Sequence, residues 1–100
     1  MFTLIKSDRR TYKVSLNEIV YFKSSGDYLH VIRKDKSLIT KESIKNVLLS
    51  LPEDRFVQIH RSYVININYL KYMESNCISI DKVVLPIGDK YRQQLRQIMK

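Results

Sequence analysis

The stretch Phe56-Val57-Gln58-Ile59-His60-Arg61-Ser62-Tyr63-Val64-Ile65-Asn66 decides how this chain is read. Apolar β-formers fill both halves, Phe56-Val57-Ile59 and Tyr63-Val64-Ile65, so each half is expected to be a strand. Between them stand His60, Arg61 and Ser62. A strand that breaks into three polar residues and then resumes marks a tight corner between packed strands. Such a corner holds its side chains firmly because rigid elements flank it.

The corner matters most for Arg61. A guanidinium offers a planar fork of donors that fits guanine O6/N7 or a phosphate in a bidentate manner. Taken alone, Arg61 reads as a solvated surface arginine, His60 as a hydrogen-bonded corner residue and Ser62 as a turn or cap residue. The rest of the chain shifts the reading of Arg61. Eighteen Lys and Arg against ten Asp and Glu give a net charge of +8. That balance favours a polyanionic partner, either nucleic acid or an anionic membrane surface. Membrane adsorption calls for a basic amphipathic helix with aromatic anchors, and neither helix expected here has that strength. Nucleic acid is the preferred partner.

Length and composition bound the remainder. One hundred residues make a single domain, residues 1–100, with a modest core. The 44% hydrophobic and 28% charged residues balance as they do in folded, soluble chains. No apolar run reaches the roughly 18 residues of a membrane span, and no secretory leader is visible. A cytoplasmic location is expected. Cys77 is the sole cysteine, which rules out an internal disulfide and points to a reducing compartment. Cys77 reads as a small buried hydrophobe in a strand. With only His30 and His60 beside it, no metal site and no cofactor are expected.

Outward from the central stretch, the N-terminal side reads as strands. Phe2 to Lys6 and Thr11 to Ser15 pair across the turn Ser7-Asp8-Arg9-Arg10. Ile19 to Lys23 is the most apolar strand, as if buried on both faces or at a sheet junction. Ser24-Ser25-Gly26-Asp27 is a turn in which Gly26 is free to take positive φ. Tyr28 to Arg33 and Ser37 to Thr40 follow at hairpin spacing. The period then changes. Ile44, Val47, Leu48 and Leu51 fall on one helical face, started by Ser43 or Thr40 and stopped by Pro52.

Beyond the central stretch, Asn66-Ile67-Asn68 reads as a short turn with Asn66 capping backbone groups. Leu70 to Glu74 and Cys77 to Ile80 form a hairpin around Ser75-Asn76, and Lys82 to Pro86 adds a strand. Gly88-Asp89 opens a last helix with a stripe of Tyr91, Leu95, Ile98 and Met99. The sum is eight or nine short strands and two short helices, a mostly β fold.

Catalytic patterns are scarce, and no enzymatic activity is expected. Gly26 and Gly88 are the only glycines, so no Gly-rich phosphate loop exists. Ser79-Ile80-Asp81-Lys82 matches a Ser-x-x-Lys string, but it lies across a strand and turn, where the two side chains would not share a helical face. Acidic residues are scattered singly, unlike a paired-carboxylate site.

The order of features resembles the LytTR family of bacterial DNA-binding domains. The resemblance is carried by Ile19-Val20-Tyr21-Phe22, Gly26-Asp27-Tyr28, Leu51-Pro52, the whole of Phe56 to Asn66, and Leu85-Pro86-Ile87-Gly88 with Tyr91. It covers essentially the whole chain. The chain departs from the family pattern at Gln58, where many members carry a basic residue, and at Gly88-Asp89, where others have Ser-Arg.

The resemblance implies an elongated arrangement of small antiparallel sheets whose loops, not a recognition helix, enter successive major grooves of double-stranded DNA. It implies the output domain of a response regulator behind a receiver domain, acting on promoter direct repeats, with a dimer on DNA as one arrangement. Three loops become candidates for DNA contact: the Ser24 to Tyr28 turn with Ser25, Asp27 and Tyr28; the His60-Arg61-Ser62 corner, with Arg61 the main base reader; and the Gly88-Asp89-Lys90 loop. In the last, Asp89 reads a cytosine amino group or caps the helix, and Lys90 is the better DNA contact. Two alternatives stand beside this reading: a basic module that binds an acidic protein, and a single-stranded nucleic-acid binder stacking bases on tyrosines. Tyr12, Tyr21, Tyr63 and Tyr91 fall in strands or on an apolar stripe, which favours core roles for them.

Overall fold

A computed structural model describes residues 1–99. Ten strands form three antiparallel sheets. A two-stranded sheet pairs β1 (Phe2–Ser7) with β2 (Arg10–Ser15). The central sheet combines β3 (Ile19–Ser25), β4 (Tyr28–Arg33), β5 (Ser37–Thr40), β6 (Phe56–His60) and β7 (Tyr63–Asn66) in the order β5-β4-β3-β7-β6. The third sheet holds β8 (Leu70–Met73), β9 (Cys77–Ile80) and β10 (Val83–Pro86). Two short helices, α1 (Ile44–Leu49) and α2 (Arg92–Ile98), complete the fold. Its extents of 40 × 25 × 23 Å are elongated, as expected.

The central sheet is covered on both faces, and β3 shows how. Ile19 and Phe22 lie in a core with Ile5 and Val14 from the hairpin, Ile44 from α1, and Leu51. Val20 lies in a second core with Ile78, Ile80 and Leu85 from the third sheet and Leu95 from α2. Strict alternation would put Val20 on the same face as Phe22. The register shift between Ile19 and Tyr21 breaks that alternation, so one extra residue lets β3 serve both cores. The near-continuous apolar run of this strand is a sheet junction. On β7 the alternation is regular, with Val64 in the first core and Ile65 in the second.

Asn66 ends β7 with no exposed surface, yet every polar atom of its side chain has a partner. Its Nδ2 donates to the carbonyls of Leu16 (3.2 Å) and Ile19 (2.8 Å), and its Oδ1 accepts from the N–H of Asn68 (3.0 Å). The expected capping role holds, and it reaches further than the local turn. The same side chain pins the connection between β2 and β3 against the central sheet.

Several boundaries differ from expectation. The described residues make ten strands, more than the total of eight or nine, because every segment expected to be extended, both halves of Phe56–Asn66 included, forms a paired strand of its own. β3 continues through Ser25, leaving only Gly26 and Asp27 as the turn, with Gly26 at φ +59°. α1 stops at Leu49, and Ser43 rather than Thr40 caps it, accepting from Asn46 N at 3.2 Å. Thr40 is instead the last residue of β5. On α2 the expected stripe is reduced to Leu95, since Ile98 and Met99 are exposed. Cys77 is half-buried because β9 begins at the edge of its core. Tyr12, Tyr21, Tyr63 and Tyr91 are half-buried; the first three pack against the cores with part of each ring at the surface.

Two leucines separate these environments. Leu95 is 1% exposed, so Leu95→Ala is expected to cost about 2–5 kcal/mol in an unfolding titration. Leu48 only flanks the first core and is half-buried, so Leu48→Ala should cost about 1–2 kcal/mol. Equal costs would contradict this division of the two helices.

Candidate nucleic-acid interface

The β6–β7 corner is built by its own polar residues. The backbone N–H of Ser62 donates to His60 Nδ1 at 3.0 Å, and Gln58 Nε2 donates to the His60 carbonyl at 3.1 Å. His60 Nδ1 therefore acts as an acceptor, and the imidazole is part of the corner's framework. Its ring also packs against Tyr63, with centroids 5.5 Å apart. A register shift between Gln58 and His60 bends β6 at the same place. Gln58 is half-buried and turned into this network.

Two backbone bonds tie the corner to the other candidate loops. Ser24 N donates to the carbonyl of Ser62 at 2.8 Å, joining the β3–β4 turn. Gly88 N donates to the carbonyl of Ile59 at 2.8 Å, joining the loop before α2. The backbone at Gly88 runs close to the corner: a Cβ there would make a tight 3.0 Å contact with the Tyr91 ring and an ordinary 3.5 Å contact with His60 Cα. All three loops named from the sequence are thus hydrogen-bonded into one end of the molecule, with the corner at the centre.

The side chains divide by exposure. Ser25, Asp27, Tyr28, Arg61, Asp89 and Lys90 are exposed, while His60 and Ser62 are half-buried. Arg61 makes no hydrogen bond or ion pair among the described residues. It lines a shallow cleft with Ser24, Gly26, Asp27, Lys41, Glu42, Ser43 and Ile44. Asp89 does not cap the helix. The helix expected to open at Gly88-Asp89 begins only at Arg92; Gly88 caps the 3-10 turn Asp89–Tyr91 ahead of it without a side-chain bond, and the Asp89 carboxylate pairs with Arg92 at 3.1 Å. Arg92 also donates to Asn76 Oδ1 at 3.2 Å, bracing the third loop on the β8–β9 turn.

Lys41 was not among the residues singled out by sequence. Its link to Arg61 depends on β4 pairing with β5, where Leu29 faces Thr40 and carries the chain back beside the β3–β4 turn. No local signal at Lys41 announces that pairing. Its neighbour Glu42 is held by the Ser43 N–H and the Asn46 amide, each at 3.0 Å. These donors, the backbone one foremost, keep the carboxyl below the usual carboxylate range against a small opposing effect of burial. The bonds stabilise the fold above the unfolded carboxylate's pKa, and that contribution is lost as pH falls through the lower folded value. Glu42→Gln should therefore lower the unfolding midpoint at neutral pH, with the difference closing in acid. A pH series of thermal unfolding checks this. Burial, and then the neighbouring Tyr63, push the Tyr21 hydroxyl upward, so it stays protonated across the physiological range.

A basic β-rich scaffold with three braced loops at one end is compatible with a nucleic-acid-binding domain. A family model described as the LytTr DNA-binding domain matches residues 9–100, and the chain belongs to that family of DNA-binding domains. It is similar to the sensory transduction protein LytT of Bacillus subtilis (strain 168), 24% identical over 92 residues, covering 86% of this chain and 38% of LytT. It is also similar to the heme-containing CO-sensing transcriptional regulator RcoM 2 of Paraburkholderia xenovorans (strain LB400), 24% identical over 97 residues, covering 90% of this chain and 36% of RcoM 2. The chain thus spans less than two fifths of the length of these curated relatives. A solved LytTr DNA-binding domain from Bacillus cereus has the same fold, with a TM-score of 0.83 at 21% identity, covering 98% of this chain and 95% of that one. The expected fold class and family both hold. Among the described residues no helix is long and apolar enough to cross a membrane.

Proposed function

We propose that this domain reads specific double-stranded DNA by setting its three loops into major grooves, as the cytoplasmic output domain of a bacterial transcriptional response regulator. The observation that carries the reading is the placement of Arg61. It stands exposed and unpartnered on a corner whose backbone is bonded to both other loops. The fixed backbone leaves only the side chain to be ordered when the fork meets a base edge, and a bidentate contact there discriminates by about 1–3 kcal/mol. Lys90 supplies phosphate attraction, and Ser25, Asp27, Tyr28 and Asp89 lie where further groove contacts form. His60 and Ser62 act through the corner's shape.

The regulatory setting rests on the family and on relatives described as sensory transduction and transcriptional regulatory proteins. In that setting a receiver domain elsewhere in the full-length protein supplies the signal, and two copies occupy paired direct repeats in a promoter. Catalysis plays no part in this reading. Selection of bound fragments from randomised duplex DNA tests it. The expected result is one enriched sequence, found as a spaced pair, with affinity falling steeply as salt rises. Recovery of no common sequence, or equal competition by single-stranded DNA, would overturn it.

A further inference from the structure

We infer that Lys41 forms a fourth DNA contact, a phosphate clamp beside Arg61 on the connector between β5 and α1. The inference rests on the reading of Arg61 as the groove contact and extends the interface beyond the three loops. Three observations carry it.

The first is position. Thr40 pairs with Leu29, one residue from Tyr28, so the chain leaves β5 next to the β3–β4 turn. Lys41 then lines one cleft with Arg61, Ser24 and Asp27. A side chain in that cleft lies on the same surface as the groove-entering loops.

The second is availability. Lys41 is exposed and makes no ion pair among the described residues. Glu42 and Asp27 line the same cleft and carry negative charge, but neither pairs with Lys41, and Glu42 is turned to Ser43 N and Asn46 Nδ2.

The third is that the connector is fixed. Ser43 Oγ accepts from Asn46 N at 3.2 Å and the Glu42 bonds hold the residues after Lys41, while Thr40 before it is paired in β5. The base of the Lys41 side chain is thereby set in place, which lowers the ordering cost of engaging a phosphate. A lysine acts there as a compact point charge; the planar fork needed for a base edge belongs to Arg61.

The roles predict different signatures. A phosphate clamp contributes to every duplex alike, whereas a base reader separates one sequence from another. The test is a salt titration of binding to two duplexes, the one enriched by selection and a scrambled duplex of equal length. Parent, Lys41→Ala, Lys41→Arg, Arg61→Ala and Lys82→Ala are compared, with unfolding midpoints measured alongside. Lys82 lies in the turn before β10, at the end of that strand away from Gly88, and serves as the remote charge control.

Lys41→Ala should bind both duplexes about 3- to 10-fold more weakly and lower the salt slope by about one unit. Lys41→Arg should restore both values, and Lys82→Ala should match the parent. Unchanged affinity and slope in Lys41→Ala, with Arg61→Ala impaired, would overturn the clamp and leave the three-loop reading standing. An equal loss in Lys82→Ala would also overturn it, by assigning the effect to net charge. Loss confined to the selected duplex would make Lys41 a base reader instead of a clamp. No effect from either Lys41→Ala or Arg61→Ala would remove the proposed interface as a whole.

Discussion

Asn66→Ala is expected to lower the unfolding free energy by about 3–5 kcal/mol, as much as the loss of a large core side chain. The side chain is fully buried and donates to the Leu16 and Ile19 carbonyls while accepting from Asn68 N. Alanine removes all three bonds and opens a void, and each stranded buried group costs about 1–3 kcal/mol. The loss is also placed badly for the fold. Leu16 and Ile19 belong to the short connection that brings the β1–β2 hairpin onto the central sheet. Asn66→Asp gives a second reading of the same site. It keeps an acceptor for Asn68 but faces two carbonyl oxygens with a carboxylate, so its penalty should grow as pH rises through the carboxylate range. Denaturant titrations of both variants check this. A loss below about 1 kcal/mol for the alanine variant would show that the three bonds are replaced by others.

Much of this architecture is legible in the residues. Alternating β-formers place most strands within a residue or two, and the Gly26 turn follows from the need for positive φ. The split of Phe56–Asn66 is visible because polar residues interrupt an apolar run, although His60 still belongs to β6 and only Arg61 and Ser62 form the turn. Helical spacing finds both helices, but it assigns Ile98 and Met99 to a core. Periodicity shows which residues share a face and does not show how far the partner surface extends; here the third sheet covers α2 only at Leu95.

The candidate site divides in the same manner. Its central corner could be read locally, because sequence neighbours make the corner. The bonds that gather the other two loops around it, Ser24 to Ser62 and Gly88 to Ile59, join backbone groups far apart in the chain. No residue type encodes them. Lys41 escaped notice for the same reason, since the β4–β5 pairing is what sets it beside Arg61.

The second large effect is expected at Arg61. Arg61→Ala should abolish discrimination between the selected and scrambled duplexes, a loss of roughly 10- to 100-fold in their affinity ratio. The unfolding midpoint should barely move, because the side chain is exposed and holds no other part of the fold. His60→Ala should behave differently. It removes the acceptor of Ser62 N and the ring beside Tyr63, so stability and binding should fall together. The contrast between these neighbours separates a residue that touches DNA from one that shapes the corner. Loss of stability in Arg61→Ala, or unchanged stability in His60→Ala, would reverse those assignments.

Arg61→Lys puts the central claim to its most direct test. The substitution keeps the charge and removes the planar fork, so it separates base reading from simple attraction to phosphate. The measurement is the ratio of affinities for the selected and scrambled duplexes at one fixed salt concentration. Binding to the scrambled duplex should stay close to that of the parent, while the ratio falls most of the way to one. A ratio equal to the parent's would mean that Arg61 acts only as a positive charge, and the corner would not be the sequence reader.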